Sequence, residues 1–154
     1  MIVTKKRVAI ACDHAAIELK EEIKKHLDES GVEYVDYGTY ENKSCNYPDY
    51  AKKVCDKIYS KDHDLGILIC GTGIGMSMAA NKCKGIRAAA CGDTFSARFT
   101  RLHNDANVLC LGARVIGAGL ACDIVDVFLS TGFEGGRHQT RVDLIMNLEK
   151  EMKE

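Results

Sequence analysis

Neither sign of charge is in excess in this sequence. Lys and Arg number 21 and Asp and Glu 22, a formal net charge of -1. That balance excludes the basic footprint of a nucleic-acid binder or of a protein held on an anionic membrane surface. No apolar stretch approaches the ~20 residues of a membrane-spanning helix. No secretory leader is expected, because Met1 to Arg7 runs straight into a short apolar segment. Repeats, low-complexity tracts and linkers are missing too. Proline occurs once and tryptophan not at all. What the chain has in plenty is cysteine, eight of them, at 12, 45, 55, 70, 83, 91, 110 and 122. An even count invites a disulfide framework, but no two lie close enough for C-x-x-C, which disfavours a zinc knuckle and thioredoxin-type exchange. The expectation is a reduced, cytoplasmic protein whose thiols are mostly small buried hydrophobes.

The 154 residues fit one domain, 1–154. With 46% hydrophobic and 28% charged residues the chain has an ordinary globular composition. Short apolar runs alternate with amphipathic segments. Strands are expected at Arg7–Cys12, Glu33–Tyr37, Asp64–Cys70, Ile86–Cys91 and Asn107–Leu111. Helices are expected at Ala15–Leu27, from Pro48 to Tyr59, after Gly75 to Cys83, at Thr94–His103 and at Gly117–Ser130. In the first of these, Ala16, Leu19, Ile23 and Leu27 recur on one face, and Gly31 follows as a C-terminal cap. A last helix starts at Arg137 or Thr140 and runs to Met152. Alternating strands and helices indicate right-handed βαβ units and a parallel sheet, and the nearly unbroken apolar strands suit a sheet covered on both faces. Five strands are too few for a closed eight-stranded barrel. The expected fold is therefore α/β, a Rossmann-like doubly wound five-stranded parallel sheet with flanking helices. The last helix carries Val142, Leu144, Ile145, Leu148 and Met152 as an apolar stripe, which packs either on its own sheet or against a second subunit.

In open parallel sheets, ligands bind beyond the carboxyl ends of the strands. Those ends carry Cys12-Asp13-His14, Cys70 with the glycine loop, Cys91-Gly92-Asp93 and Gly112-Ala113-Arg114. With the common strand order 2-1-3-4-5, Asp13, His14 and Cys70 share one crevice. Gly71, Gly73 and Gly75 alternate just before a helix and suit a cradle of N–H groups for a phosphate or a developing oxyanion. The spacing G-x-G-x-G is neither the dinucleotide fingerprint nor a P-loop. Cys70 sits between a strand end and this cradle, a position that favours a thiolate able to act as nucleophile or base. Thr72 stands near enough to relay a proton. A phosphatase C-x5-R loop is excluded, since the residue six beyond Cys70 is Met76. His14 and His103 stand at element ends, whereas His26 and His63 read as solvated. No H-E-x-x-H occurs, so no metal is expected. Arg137 and Arg141, four apart, share a helix face and could hold a phosphate.

Several stretches then converge. They are Cys12-Asp13-His14, Asn46-Tyr47-Pro48-Asp49, Cys70-Gly71-Thr72-Gly73-Ile74-Gly75, Ala79-Ala80-Asn81-Lys82 and Gly85-Ile86-Arg87-Ala88, with Arg101-Leu102-His103-Asn104-Asp105 and Gly135-Gly136-Arg137-His138-Gln139. Over essentially its whole length the chain resembles type B ribose-5-phosphate isomerase, of the family that includes galactose-6-phosphate isomerase subunits. The resemblance implies metal-free and cofactor-free interconversion of ribose 5-phosphate and ribulose 5-phosphate through a cis-enediolate, a step of the pentose phosphate pathway. It implies Cys70 as the base at C2, Thr72 as a proton relay on the oxygens, and His103 with Asp13 as the group opening the furanose ring. Gly71, Gly73, Ile74 and Gly75 match the anion hole, Tyr47 and Asn104 sugar contacts, and His14, Arg114, Arg137 and Arg141 phosphate contacts. It implies a homodimer, or a dimer of dimers, with the last helix at the dimer interface and His103, Asn104 and Arg114 contributed by the partner. One branch of the family replaces the cysteine by a glutamate further along the loop; Met76 stands there, which sorts this chain with the cysteine branch. Two alternatives stay open: an isomerase of allose 6-phosphate or galactose 6-phosphate, and a sugar-phosphate-binding module without catalysis. A thiol oxidoreductase is disfavoured by the missing C-x-x-C.

Overall fold

Strands and helices alternate along the computed structural model, which describes residues 5–152. Among these residues the order is β1 (Val8–Cys12), α1 (Ile17–Glu29), β2 (Tyr34–Asp36), α2 (Tyr47–Tyr59), β3 (Leu65–Cys70), α3 (Ile74–Ala80), β4 (Ala88–Ala90), α4 (Thr94–Asn104), β5 (Val108–Gly112), α5 (Ala118–Ser130) and α6 (Arg137–Glu151). All strand pairings are parallel, in the order β2-β1-β3-β5-β4. The expected α/β fold is therefore present, with one difference in topology. β5, not β4, lies beside β3. The reason is in the strands themselves: β5 is buried at all five positions, while β4 is three partly exposed alanines. A short strand of small residues has little to gain from the middle of a sheet and makes a harmless edge.

Side chains alternate across the sheet with the period of two that strands require. Val8, Ile10, Cys12, Ile67, Ile69, Leu109 and Leu111 face the layer built by α1 and α5, with Ala97 of α4. Ala9, Ala11, Leu68, Cys70, Val108 and Cys110 face α2 and α3. Burial on both faces explains why these strands read as unbroken apolar runs. The shorter elements end earlier than the sequence pattern suggested. β2 and β4 keep only their middle three residues, and α3 stops at Ala80, three residues before Cys83.

The last helix begins at the earlier of the two expected positions, Arg137. It does not bury its apolar stripe against its own sheet. His138 and Val142 are its buried residues, while Leu144, Ile145, Leu148 and Met152 are exposed at 60%, 46%, 58% and 77%. Two contacts tie its outer half to the body: Glu149 accepts from the Gly85 N–H at 2.9 Å, and Met146 Sδ accepts from Arg87 at 3.4 Å. No helix of the described residues is long and apolar enough to cross a membrane.

Candidate active site

Parallel pairing brings the ends of β1, β3 and β5 into one crevice. Cys12 pairs with Ile69, and Cys70 with Gly112. Asp13, 7% exposed, continues β1 through its N–H to the Ile69 carbonyl at 3.1 Å, and its Oδ1 accepts from the Ala15 N–H at 3.0 Å. His14 follows. Its Nδ1 accepts from the Cys45 N–H at 3.2 Å, so the neutral ring carries its proton on Nε2 and presents an N–H donor from that side.

Cys70 is 5% exposed at the end of β3. Its neighbours among the thiols differ from it chemically. Cys12, Cys55 and Cys83 donate their S–H groups to carbonyl oxygens of Thr39, Ala80 and Ala79. Burial pushes the Cys12 and Cys91 thiols up to about 11, and raises those of Cys55 and Cys110 as well. These four stay protonated at neutral pH. The Cys70 sulfur instead accepts a hydrogen bond, from the Gly73 N–H at 3.1 Å. That donor is aimed by the backbone of Gly73, which takes φ +80° in the left-handed region and lies against the Leu111 backbone, where a Cβ would come to 3.0 Å.

The loop then opens α3. Of the first four N–H groups of a helix, none finds a carbonyl in its own earlier turn. Here Gly73 donates to Cys70 Sγ at 3.1 Å and Ile74 to Thr72 Oγ1 at 3.2 Å, while the Ser77 N–H makes the helix's own first bond, to the Gly73 carbonyl at 3.1 Å. Gly75 and Met76 supply the remaining pair. Tyr47, at the start of α2, lies flat on Gly75, where a Cβ would stand 2.8 Å from its ring. Arg114 covers Gly71 at the other side: a Cβ there would be 3.3 Å from Nη1. Asp13, His14, Tyr47, Cys70 to Gly75 and Arg114 thus form one cluster. Arg114, which the resemblance implies as the partner's contribution, lies against the glycine loop of its own chain. The β3–β5 pairing puts the turn after β5 beside the glycine loop, with the Arg114 N–H on the Gly71 carbonyl at 3.0 Å.

His103, Asn104 and Arg137 form a second cluster, at the other end of the sheet. α4 starts at the carboxyl end and returns, so its last residues lie by the beginning of β4; Arg87 Nε reaches the Asn104 carbonyl at 3.1 Å. An eleven-residue helix is about 16 Å long. Asp13 and His103, expected to act together, are therefore separated within one chain. The His103 ring stacks on His138 with centroids 4.0 Å apart and meets Phe99 edge-on. Glu134 stands beside both histidines. Arg137 and Arg141 project from the start of α6 into solvent.

Three features were not read from the sequence. Lys20 is fully buried, its ammonium bonded to Asp36 at 2.8 Å and to the Thr39 carbonyl at 2.7 Å. It fastens the end of β2 and the loop after it to α1. No sequence signal marked it, because a lysine beside the buried Leu19 ordinarily carries its ammonium out to water. His63, expected in solvent, is 8% exposed and bonded to the Tyr37 hydroxyl at 2.8 Å; burial lowers its pKa. Arg101 is buried against carbonyls of Thr131 and Ala106 and the carboxylate of Asp105.

Fold and loop chemistry together describe a sugar-phosphate isomerase of the open parallel-sheet kind, and comparison with known proteins agrees. Residues 8–145 match the family described as Ribose/Galactose Isomerase. Ribose-5-phosphate isomerase B of Escherichia coli is 50% identical over 145 residues, covering 94% of this chain and 97% of that protein. The structure of Clostridium thermocellum ribose-5-phosphate isomerase B superposes with TM-score 0.93 at 50% identity, covering 95% of this chain and 99% of the other. Ribose-5-phosphate isomerase B of Mycoplasma genitalium, solved with bound ribulose 5-phosphate, superposes with TM-score 0.90 at 46% identity, covering 97% and 99%. The chain belongs to the ribose/galactose isomerase family, and it is an isomerase.

Proposed function

We propose that the chain interconverts ribose 5-phosphate and ribulose 5-phosphate, as a step of the pentose phosphate pathway. The observation that carries this reading is the buried Cys70 sulfur, accepting from the Gly73 N–H in a crevice flanked by Tyr47, His14 and Arg114. Moving hydrogen between C2 and C1 needs one base, a proton carrier between the two oxygens, and donors for the negative charge of the enediolate. Cys70 takes the C2 proton and returns it to C1. Thr72 carries a proton between O2 and O1. The N–H groups from Gly71 to Gly75 hold the enediolate oxygens, and exclusion of water strengthens those bonds. His14 and Arg114 hold the phosphate together with Arg137 and Arg141 of the partner subunit, while Tyr47 and the partner subunit's Asn104 orient the sugar.

Ring opening by His103 with Asp13 requires a second copy of the chain, since the two residues lie at opposite ends of one sheet. A homodimer supplies it, or a dimer of dimers built from it. The exposed stripe of α6 supports that assembly, because it lines a groove of about 1000 Å³ with Met78, Ile86 and Asn104. A cytoplasmic setting belongs to the same proposal, since all eight cysteines are unpaired. Coupled assays with ribose 5-phosphate, allose 6-phosphate and galactose 6-phosphate test the substrate. Turnover of the pentose phosphate should exceed that of both hexose phosphates. Preference for a hexose phosphate, or binding of all three without turnover, would overturn the reading.

A further inference from the structure

We propose that His103, Glu134 and His138 form a binding site for a divalent transition-metal ion, with zinc the ion the donors fit. The three side chains come from the end of α4, the loop before α6 and the first turn of α6. Spacing along the chain therefore gave no sign of them. One ligand atom from each lies within 4.8 Å of the other two. Glu134 Oε2 is the shared corner, 3.3 Å from His138 Nε2 and 3.9 Å from His103 Nε2.

Zinc bonds to imidazole nitrogen and carboxylate oxygen are about 2.0–2.2 Å, which puts neighbouring tetrahedral donors roughly 3.3–3.5 Å apart. The His138–Glu134 edge already has that length. The other two edges must contract by rotation of the Glu134 and His103 side chains, which are 50% and 34% exposed. His138, with 9% of its side chain exposed, is the fixed point. The frame around it is also fixed. The Glu134 N–H donates to the Leu102 carbonyl at 3.1 Å, and the His138 N–H to the Gly135 carbonyl at 3.0 Å. The two imidazoles are stacked only 12° from parallel, so their in-plane lone pairs converge on one ion only when the His103 ring turns out of the stack.

Two imidazoles and one carboxylate, without a thiolate, select zinc or cobalt over softer ions. They also leave a fourth position for water. The ion would stand apart from the proton transfer proposed for Cys70. It would occupy the nitrogen that His103 uses, and so inhibit; that consequence rests on the ring-opening reading of His103.

The test uses cobalt(II) as a spectroscopic probe and zinc as competitor on the intact protein. One equivalent of cobalt per chain should bind with ligand-field absorption of nitrogen and oxygen donors and without thiolate-to-cobalt charge transfer, and zinc should displace it. Glu134→Gln, at an exposed position that leaves folding intact, and His138→Asn should each weaken binding at least about tenfold. Unchanged affinity in Glu134→Gln, or cobalt bound through thiolate alone, would overturn the site. If zinc occupies the site and is lost in both variants, the site stands. Should turnover of ribose 5-phosphate then be indifferent to occupancy, the ring-opening role of His103 falls instead.

Discussion

Burial has opposite meanings for Cys70 and for the other buried thiols. Cys12 and Cys55 donate S–H hydrogen bonds to backbone carbonyls, while Cys70 accepts one from the Gly73 N–H. On the proposed mechanism, replacing the sulfur removes the base and leaves a small cavity in a well-packed wall. Cys70→Ala should therefore keep its circular dichroism spectrum and lose turnover by about 10²–10⁴-fold, and deuterium from solvent should no longer enter C1 of the product. Wild-type exchange in that variant would end the assignment. Position along the chain pointed to Cys70, since it is the cysteine joined to the glycine loop. Lys20 and Asp36 were invisible by the same means, because a lysine beside an apolar helical position ordinarily reaches water. Burial pushes the Asp36 carboxyl up, but the Lys20 ammonium, the Gly38 N–H and Lys24 outweigh it and hold it below its ordinary value. A carboxylate with a lowered folded-state pKa contributes stability above its unfolded value, near 4, and loses it as pH falls through the folded value. Asp36→Asn strands the Lys20 charge and should cost about 3 kcal/mol at pH 7 in urea unfolding. The gap between the variant and wild type should narrow below about pH 4. A gap that stays constant down to pH 3 would show that the pair carries no such linkage.

At the scale of elements, α6 is the piece whose surroundings and sequence disagree. Its apolar positions recur as a buried helix would have them, yet Leu144, Ile145, Leu148 and Met152 face outward. Contiguous exposed apolar surface of this kind marks an association face. Leu148→Glu should weaken self-association, read by sedimentation equilibrium, with helical content unchanged. Activity should fall in parallel with the dimer population, because the separated chain cannot bring His103 to Cys70. A variant that sediments like wild type would remove α6 from the interface. The elements themselves were legible from periodicity. Their edges were less so at β2, β4 and the end of α3, where the apolar run continues past the last ladder or helical hydrogen bond. The position of β4 was not legible at all. Sequence order says nothing about which strand pairs with β3, and the difference rests on how much side chain each strand can bury from both sides.

For the whole molecule, the two clusters at opposite ends of one sheet have a direct consequence. In a symmetric dimer each site would draw Cys70 from one chain and His103 from the other. Cys70→Ala and His103→Ala chains should each be nearly inactive alone. Mixed in equal amounts and allowed to exchange, half the dimers are mixed and each has one intact site, so activity should recover to roughly a quarter of wild type. No recovery after demonstrated exchange would place both residues in one chain's site. Composition, periodicity and the run from Cys70 to Gly75 alone determined an α/β parallel sheet and a glycine loop between the third strand and the helix that follows it. Those features are local: they depend on residues a few positions apart, and backbone geometry links such neighbours to structure directly. Tertiary structure decided the strand order, the place of Arg114 over its own glycine loop, the burial of Lys20 and His63, and the meeting of His103, Glu134 and His138. Each of these joins residues distant in the chain, and which distant surfaces meet is set by how the layers bury area together, a quantity that no single stretch of sequence contains.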